Sequence, residues 1–473
     1  MNYSYILATN GRVLLPFSFA FLIPLAISLF QGESFLPFLV PFLLSFAVGL
    51  ILILFSREKE PEMFTEKDTY ISVAVIWLLM PIFGSIPFLF YSVDPLNAFF
   101  ESFSGFTTTG MSVLVPELLP KSILFWRSFM QWLGGLGVVI LTLIFLPNVR
   151  KRSVLFHAEH PVVLLPKVKP RIREVALVIF QIYLLLTILV AIVLLVLGLD
   201  IFNAINHALT TVSTGGFSTS SESIAKFNDV RIEAAIAFFG FIGGVNFALI
   251  YALTNKQLRS LADLELRVYT ALIAIATLTL TIVNLDYYGD FLDSLRFSAF
   301  QSISFTAMGF TTTNFNEWSS SAKMVILVLM LIGGCSGSTA GGLKVIRFII
   351  LSKYVLMEIY KLMEPRTVRT VKYGSYALEK ENVEEIVAFF ILYIFIFFFS
   401  SLLLTLMGCD FETSISLSAS SLGNVGPFFG SNLNLSELNF FSKIVLIVNM
   451  WVGRLEIIPV FMFLLSLTQK GKW

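Results

Sequence analysis

DPLNAFFESFSGFTTTG, residues 94–110, opens on an aspartate and reaches a glycine sixteen residues later. Three other stretches keep that interval without a gap: DIFNAINHALTTVSTGG (200–216), DSLRFSAFQSISFTAMG (293–309) and DFETSISLSASSLGNVG (410–426). Asp is a favoured helix N-cap, because its carboxylate accepts hydrogen bonds from the first unpaired N–H groups. The dozen residues that follow make a helix of ~18 Å, too short for a bilayer core of ~30 Å. Small and hydroxyl residues close each unit, and the final Gly tolerates positive φ. Each unit is expected to enter the membrane as a short helix, stop near its middle and return as extended chain. Irregular backbone at that depth persists only where protein buries it or it lines a watery cavity.

The surroundings supply the membrane. The chain is 56% hydrophobic and 13% charged, with 49 Phe among its 473 residues, a composition of integral membrane proteins. Twenty uncharged residues separate Arg12 from Glu33, 23 separate Glu33 from Arg57, and 25 separate both Asp68 from Asp94 and Glu174 from Asp200. Runs of that length span a bilayer as helices. An uncharged run stands on each side of every Asp-to-Gly unit, so the plan reads helix, re-entrant hairpin, helix, four times. The predicted architecture is an all-α polytopic membrane protein with pseudo-fourfold symmetry. It comprises an N-terminal pair of transmembrane helices within 1–56 and units at 69–149, 174–255, 267–355 and 385–473.

Four such hairpins about one axis bring four glycine-containing strands together. Inward carbonyls then replace the water around a dehydrated cation. The short helices aim their C-terminal ends, with partial negative charge, at the same cavity, which favours cations over anions. The candidate ion-contacting triplets are Thr108–Thr109–Gly110, Thr214–Gly215–Gly216, Ala307–Met308–Gly309 and Asn424–Val425–Gly426. Met308 is expected to pack outward and offer only its carbonyl.

A second signal sits in IGGCSGSTAGGLKVIR (332–347), where all ten residues from Gly333 to Gly342 are small and five are Gly. Each Gly costs up to ~1 kcal/mol of helix stability relative to Ala, so the third unit's second helix is expected to break there. A packing face needs small residues on one side only; here they go all the way round. The candidate gate comprises Gly333, Gly334, Cys335, Ser336, Gly337, Ser338, Thr339, Gly341 and Gly342, with Lys344 just beyond. Paired small residues recur at Gly134–Gly135 and Gly243–Gly244, and Val452–Gly453 takes that place in the fourth unit. Arg454 and Glu456 are the only charges between Lys443 and Lys470. That alignment puts Arg454 beside the Gly333–Gly342 loop, as a tether or salt-bridge partner.

The chain resembles the Trk/Ktr/HKT superfamily of potassium transporters, and within it the TrkH-type membrane subunit. SFSGFTTTGMS (102–112), TTVSTGGFST (210–219), GGCSGSTAGGLKVIR (333–347), GNVGP (423–427) and GRLEI (453–457) carry the likeness, with LFHAEHP (155–161) and PRIRE (170–174). The resemblance implies K⁺ uptake through a filter at Gly110, Gly216, Gly309 and Gly426. It also implies an intramembrane gating loop in the third unit, with Arg454 obstructing K⁺ until the gate opens. The third triplet departs from the family's usual Thr pair, which leaves the strictness of K⁺ over Na⁺ open. The resemblance further implies a cytosolic TrkA-type nucleotide-binding regulatory subunit, a homodimer, and a bacterial cytoplasmic (inner) membrane location.

Other function classes fit less well. No GxxxxGK[ST] motif and no room for an ATPase domain between spans argue against an enzyme. A net charge of +1 gives no case for nucleic acid, and two Cys with three His suggest no metal cluster. A cation-coupled secondary transporter, moving K⁺ with Na⁺ or H⁺, is the alternative, and would favour inverted repeats with intramembrane carboxylates. Glu456 is the one acid expected deep in a span. Seven basic residues in 150–173 and eight in 344–380, with three each in 57–67 and 256–267, place these loops and both termini in the cytoplasm. Regulator contact is expected at 148–174 and 344–384.

Overall fold

The computed structural model describes residues 2–56, 65–145, 172–365, 369–374, 376–431 and 434–468. The described residues are mostly helical. A two-residue antiparallel ladder, Lys372–Tyr373 with Tyr376–Ala377, is the exception among the described residues. Six of the described helices are long and apolar enough to cross a membrane, or up to eight if each of two bent pairs counts as one span.

The N-terminal pair is Tyr3–Gln31, which runs through a 3₁₀ turn, and Leu36–Phe55. They cross at small residues: a Cβ on Gly11 would lie 2.8 Å from the Gly49 carbonyl oxygen. Long, short and second helices then follow four times. The short helices are Pro95–Phe106, Ile201–Val212, Phe291–Ile303 and Phe411–Gly423, of 12 or 13 residues each. The long helices before them are Glu66–Leu89, Ile172–Val196, Leu264–Val283 and Lys380–Leu406. Lys121–Phe145, Val230–Gly243, Ser320–Ile332 and Phe440–Arg454 come after.

Aspartate starts the short helices as expected in three units. Asp94 accepts from the Leu96 and Asn97 N–H groups, Asp200 from Asn203 and Asp410 from Thr413. In the third unit the cap is Asp290, which accepts from Leu292 at 2.9 Å and Asp293 at 3.2 Å. Asp293, the residue sixteen before Gly309, therefore lies inside the first turn. That helix starts early and also ends differently, widening into a π turn at Ser304–Met308.

The second helices break more often than the glycine run alone implies. Ser320–Ile332 stops at Gly333 as expected, and the chain resumes helix at Val345–Met363. Two other units also break: Val230–Gly243 and Phe247–Thr254 meet at 99°, and Phe440–Arg454 and Ile458–Ser466 at 117°. The first bend follows Gly243–Gly244, and Asn246 caps the new helix by accepting from Ala248. The second runs through Glu456 and Ile457, both left-handed at φ 60° and 65°. A β-branched residue there is strongly disfavoured, so the surrounding packing imposes that reversal. Residues 57–64 and 146–171 and both chain ends, where several of the basic residues counted above fall, lie outside the described residues.

Asp290→Ala removes a working cap and is expected to cost about 1 kcal/mol, lowering the thermal midpoint of the purified chain in detergent. Asp293→Ala should shift it less; the reverse order would restore Asp293 as the cap.

Candidate functional site

The four triplets meet. A Cβ built on Gly110 would collide with the Gly215 carbonyl oxygen, and one on Gly216 would lie 2.8 Å from the Gly309 oxygen. A Cβ on Gly309 would strike the Val425 carbonyl, and one on Gly426 would lie 2.5 Å from the Thr109 oxygen. First touches second, second touches third, third touches fourth and fourth touches first. The chain thus closes a ring of backbone on itself, and side chains are excluded at each of the four contacts. All four glycines also have positive φ, from 76° to 106°.

Three triplets share one backbone form. Thr108, Thr214 and Asn424 are left-handed, with φ between 52° and 53°. The N–H of the next residue reaches back to the short helix: Thr109 to Ser104, Gly215 to Thr210 and Val425 to Ser420, each 2.9 Å. Left-handed Thr is costly, and two of the three residues have side-chain bonds to hold them. The Thr214 hydroxyl donates to the Ser213 carbonyl at 2.7 Å and to Thr339 Oγ1 at 3.0 Å. Asn424 Nδ2 donates to Thr109 Oγ1 at 2.9 Å and to the Met450 carbonyl at 3.0 Å.

The third triplet differs. Ala307 carries no polar group to compensate a left-handed backbone, and it stays outside that region. The π turn takes up the extra residue, so the equivalent bond is made by Gly309 itself, to Ser304 at 3.0 Å. Met308 is buried, its sulfur against the bare Cα of Gly240 on the neighbouring unit's second helix. It packs outward, as expected.

Behind the ring stands a polar scaffold that the motif reading missed. Glu101 and Arg127 form an ion pair at 2.7 Å with both side chains at most 2% exposed. Glu101 also accepts from Val113 N–H and the Ser112 hydroxyl, while Arg127 donates to the Ser218 carbonyl and covers the Phe217 ring. The pair therefore fixes the ascending strands of the first two units together. Gln131 reinforces it, donating to the Gly215 carbonyl at 2.6 Å and accepting from Phe217 N–H at 3.0 Å. Glu233–Arg296 and Lys323–Glu412, each 2.6 Å, couple the second unit to the third and the third to the fourth. The available sequence signal was a lone charge inside an apolar helix, Glu101 and Arg127 above all. Glu101, Glu233 and Glu265 are buried acids that the charge spacing does not single out. Glu456 is about half exposed and bridges to Arg347 at 2.5 Å. His207 is a packing residue, bonded to the Asn203 carbonyl and the Ser218 hydroxyl.

The Gly333–Gly342 segment is buried loop and lies against other units. Cys335 N–H donates to the Gly244 carbonyl at 2.9 Å, and the Thr339 hydroxyl donates to Val212 and Gly243 carbonyls at 3.2 Å. A Cβ on Gly341 would meet the Gly423 carbonyl and Asn424 Cβ, at the foot of the fourth triplet. Ser338 turns in to the Cys335 carbonyl at 2.6 Å. Gly337 presents its Cα to Asn246, and Gly333, Gly334 and Gly342 pack within the loop. Lys344, buried and left-handed at φ 75°, donates to the Ala340 carbonyl. Arg454 lies beside the loop as the alignment required, 4% exposed. It donates to the Thr339 carbonyl at 2.7 Å and the Gly134 carbonyl at 3.2 Å, so one guanidinium ties the first, third and fourth units. Its hydrogen-bond partners are carbonyls rather than a carboxylate.

Two of the small-residue positions have a shared job. Gly134 and Gly453 bring their second helices against the Phe106 and Leu422 carbonyls, each four residues before the ring glycine of its unit, whereas a Cβ on Gly243 would lie 3.0 Å from the Thr214 side chain.

Residues 38–472 match the TrkH family, described as "Cation transport protein". The chain belongs to that family. It is 35% identical to the Trk system potassium uptake protein TrkH of Escherichia coli K12 across 97% of each chain. The TrkH of Halomonas elongata is 33% identical across 97% of this chain and 98% of its own. The crystal structure of the potassium transporter TrkH from Vibrio parahaemolyticus superposes with a TM-score of 0.89 at 33% identity, covering 98% of this chain and 99% of that one. These relatives are named as transporters, not enzymes.

Arg127→Met leaves the Glu101 charge buried without its partner and is expected to cost about 3–5 kcal/mol, seen as lost monodisperse protein or a lower thermal midpoint. Glu101→Gln combined with Arg127→Met should recover part of that loss. A double variant no better than the single one would show that packing, not the charge, sets the cost.

Proposed function

We propose that this chain carries K⁺ across the bacterial cytoplasmic membrane by channel-like permeation. The ion passes through the ring formed by residues 108–110, 214–216, 307–309 and 424–426. What supports this reading is the closed cycle of contacts among Gly110, Gly216, Gly309 and Gly426. Four backbone strands that approach so closely line any passage between them with main-chain oxygens, and those oxygens substitute for an ion's hydration shell. The short helices end at the same place, adding negative potential. Each of the units 69–149, 174–255, 267–355 and 385–473 then contributes one wall.

Beneath the ring, the Gly333–Gly342 loop with Lys344 acts as the gate and Arg454 as its latch and electrostatic barrier. A buried guanidinium below a cation site repels the ion it faces and, at the same time, holds Thr339 in place. Opening requires the loop to leave Arg454 and the Gly243–Gly244 carbonyls. A separate TrkA-type nucleotide-binding subunit in the cytosol would drive that movement through the 344–384 segment and the 148–174 loop, most of which is outside the described residues. The functional unit is a homodimer with one pore per chain and with both termini cytoplasmic.

Flux of ⁸⁶Rb⁺ into liposomes holding the purified chain tests the reading, with K⁺, Na⁺ and Li⁺ as competitors. Rb⁺ entry displaced by K⁺ and scarcely by Li⁺ is expected; equal displacement by all three, or no entry even with the Arg454→Ala chain, would contradict it. Arg454→Ala is expected to raise basal flux several-fold by removing both tether and barrier. Unchanged or reduced K⁺ uptake in a K⁺-auxotrophic host at equal expression would count against that role.

A further inference from the structure

The loop beneath the ring has another anchor, on the first helix of its own unit. Glu265 stands in the first turn of Leu264–Val283 and is fully buried. Its Oε1 accepts two backbone N–H groups, from Ser336 at 2.7 Å and from Ile346 at 3.1 Å. Ser336 belongs to the descending arm of the loop, and Ile346 to the first turn of Val345–Met363, just past its other end. One oxygen therefore clasps both ends of the loop at a single point. Its second oxygen, Oε2, is buried and takes no hydrogen bond. A buried carboxylate with one unbonded oxygen is expensive, and ordinary packing does not require it. The bonded oxygen explains its presence: only a long acidic or amide side chain reaches both N–H groups from this helix.

We propose that Glu265 is a positioning residue that latches the intramembrane loop shut, through the reach of its side-chain oxygen to Ser336 and Ile346. This rests on the reading of the loop as the gate. Opening then requires both bonds to break, in addition to those made by Arg454 and the Gly243–Gly244 carbonyls. Transmission to the cytosolic face follows, because Ile346 begins the helix that leaves the loop toward the 344–384 segment.

Two cysteines provide the test without further engineering. Cys335 lies in the loop and is buried, whereas Cys409 is half-buried at the start of the fourth short helix and reports on general unfolding. Labelling of each by N-ethylmaleimide, read by peptide mass spectrometry, is compared in the full-length chain in liposomes alongside ⁸⁶Rb⁺ flux. Glu265→Ala is expected to speed Cys335 labelling about tenfold or more, with Cys409 unchanged and flux raised. Glu265→Asp keeps the charge but loses the reach, and should resemble the alanine variant. Glu265→Gln keeps the reach, and should rescue labelling to within about threefold of the native chain. Native labelling in both Ala and Asp variants overturns the latch, as does an Asp variant like the native chain beside a Gln variant like Ala. If Glu265→Ala also exposes Cys409, the Asp and Gln variants decide. Faster Cys335 labelling without a change in flux would uphold the latch and contradict the gate; raised flux without faster labelling would overturn the latch.

Discussion

Four bare Cα atoms set the limits within which the rest of this molecule is built. At Gly110, Gly216, Gly309 and Gly426 the backbone of one unit lies against a main-chain carbonyl of the next, with no room for a methyl group at any of them. Backbone that close, deep in an apolar protein, cannot meet its hydrogen-bonding needs from water outside. It must be braced from behind. The Glu101–Arg127 pair and Gln131 do this for the first two units. Left-handed Thr108, Thr214 and Asn424 show the strain that such bracing supports. The short helices, capped by Asp at their outer ends, deliver these strands to a common centre because they are too short to continue.

A second level lies below the ring and is made differently. There the close approach is between the second helices and the ends of the short helices, through Gly134 and Gly453. In the third unit the corresponding glycine opens the loop instead. That loop is not loosely held: Gly243, Gly244, Val212, Arg454 and Glu265 all bond to it. Arg454 links the loop to the first unit, reaching both the Thr339 and Gly134 carbonyls. A segment rich in Gly, held by several separable hydrogen bonds each worth about 1 kcal/mol, is suited to switching between two arrangements rather than to permanent support.

Much of this was legible in the sequence because it is local. Short-helix length, the Asp caps of the first, second and fourth units, the ring glycines and the break at Gly333 all follow from spacing and residue type. The third unit was misread at its start, since Asp290 and Asp293 are equally good caps and only the folded register selects the former. Its π turn was hidden for the same reason. The bends after Gly243 and Arg454 were missed because two small residues do not by themselves break a helix; cross-unit packing does. Glu101–Arg127, Glu233–Arg296 and the Glu265 contacts pair residues from 26 to 81 positions apart. No periodicity reports a partner at that separation. The same holds for Glu456, which pairs with Arg347, 109 positions away.

In the proposed function, main-chain oxygens of four converging strands hold a dehydrated alkali cation on their common axis. An experimental structure in Rb⁺, with the ion located by its anomalous scattering, tests this most directly. Peaks are expected on the axis between residues 108–110, 214–216, 307–309 and 424–426, at positions that K⁺ displaces. Rb⁺ found only away from that axis, or beside the carboxylates of Glu101, Glu233 or Glu265, would contradict it.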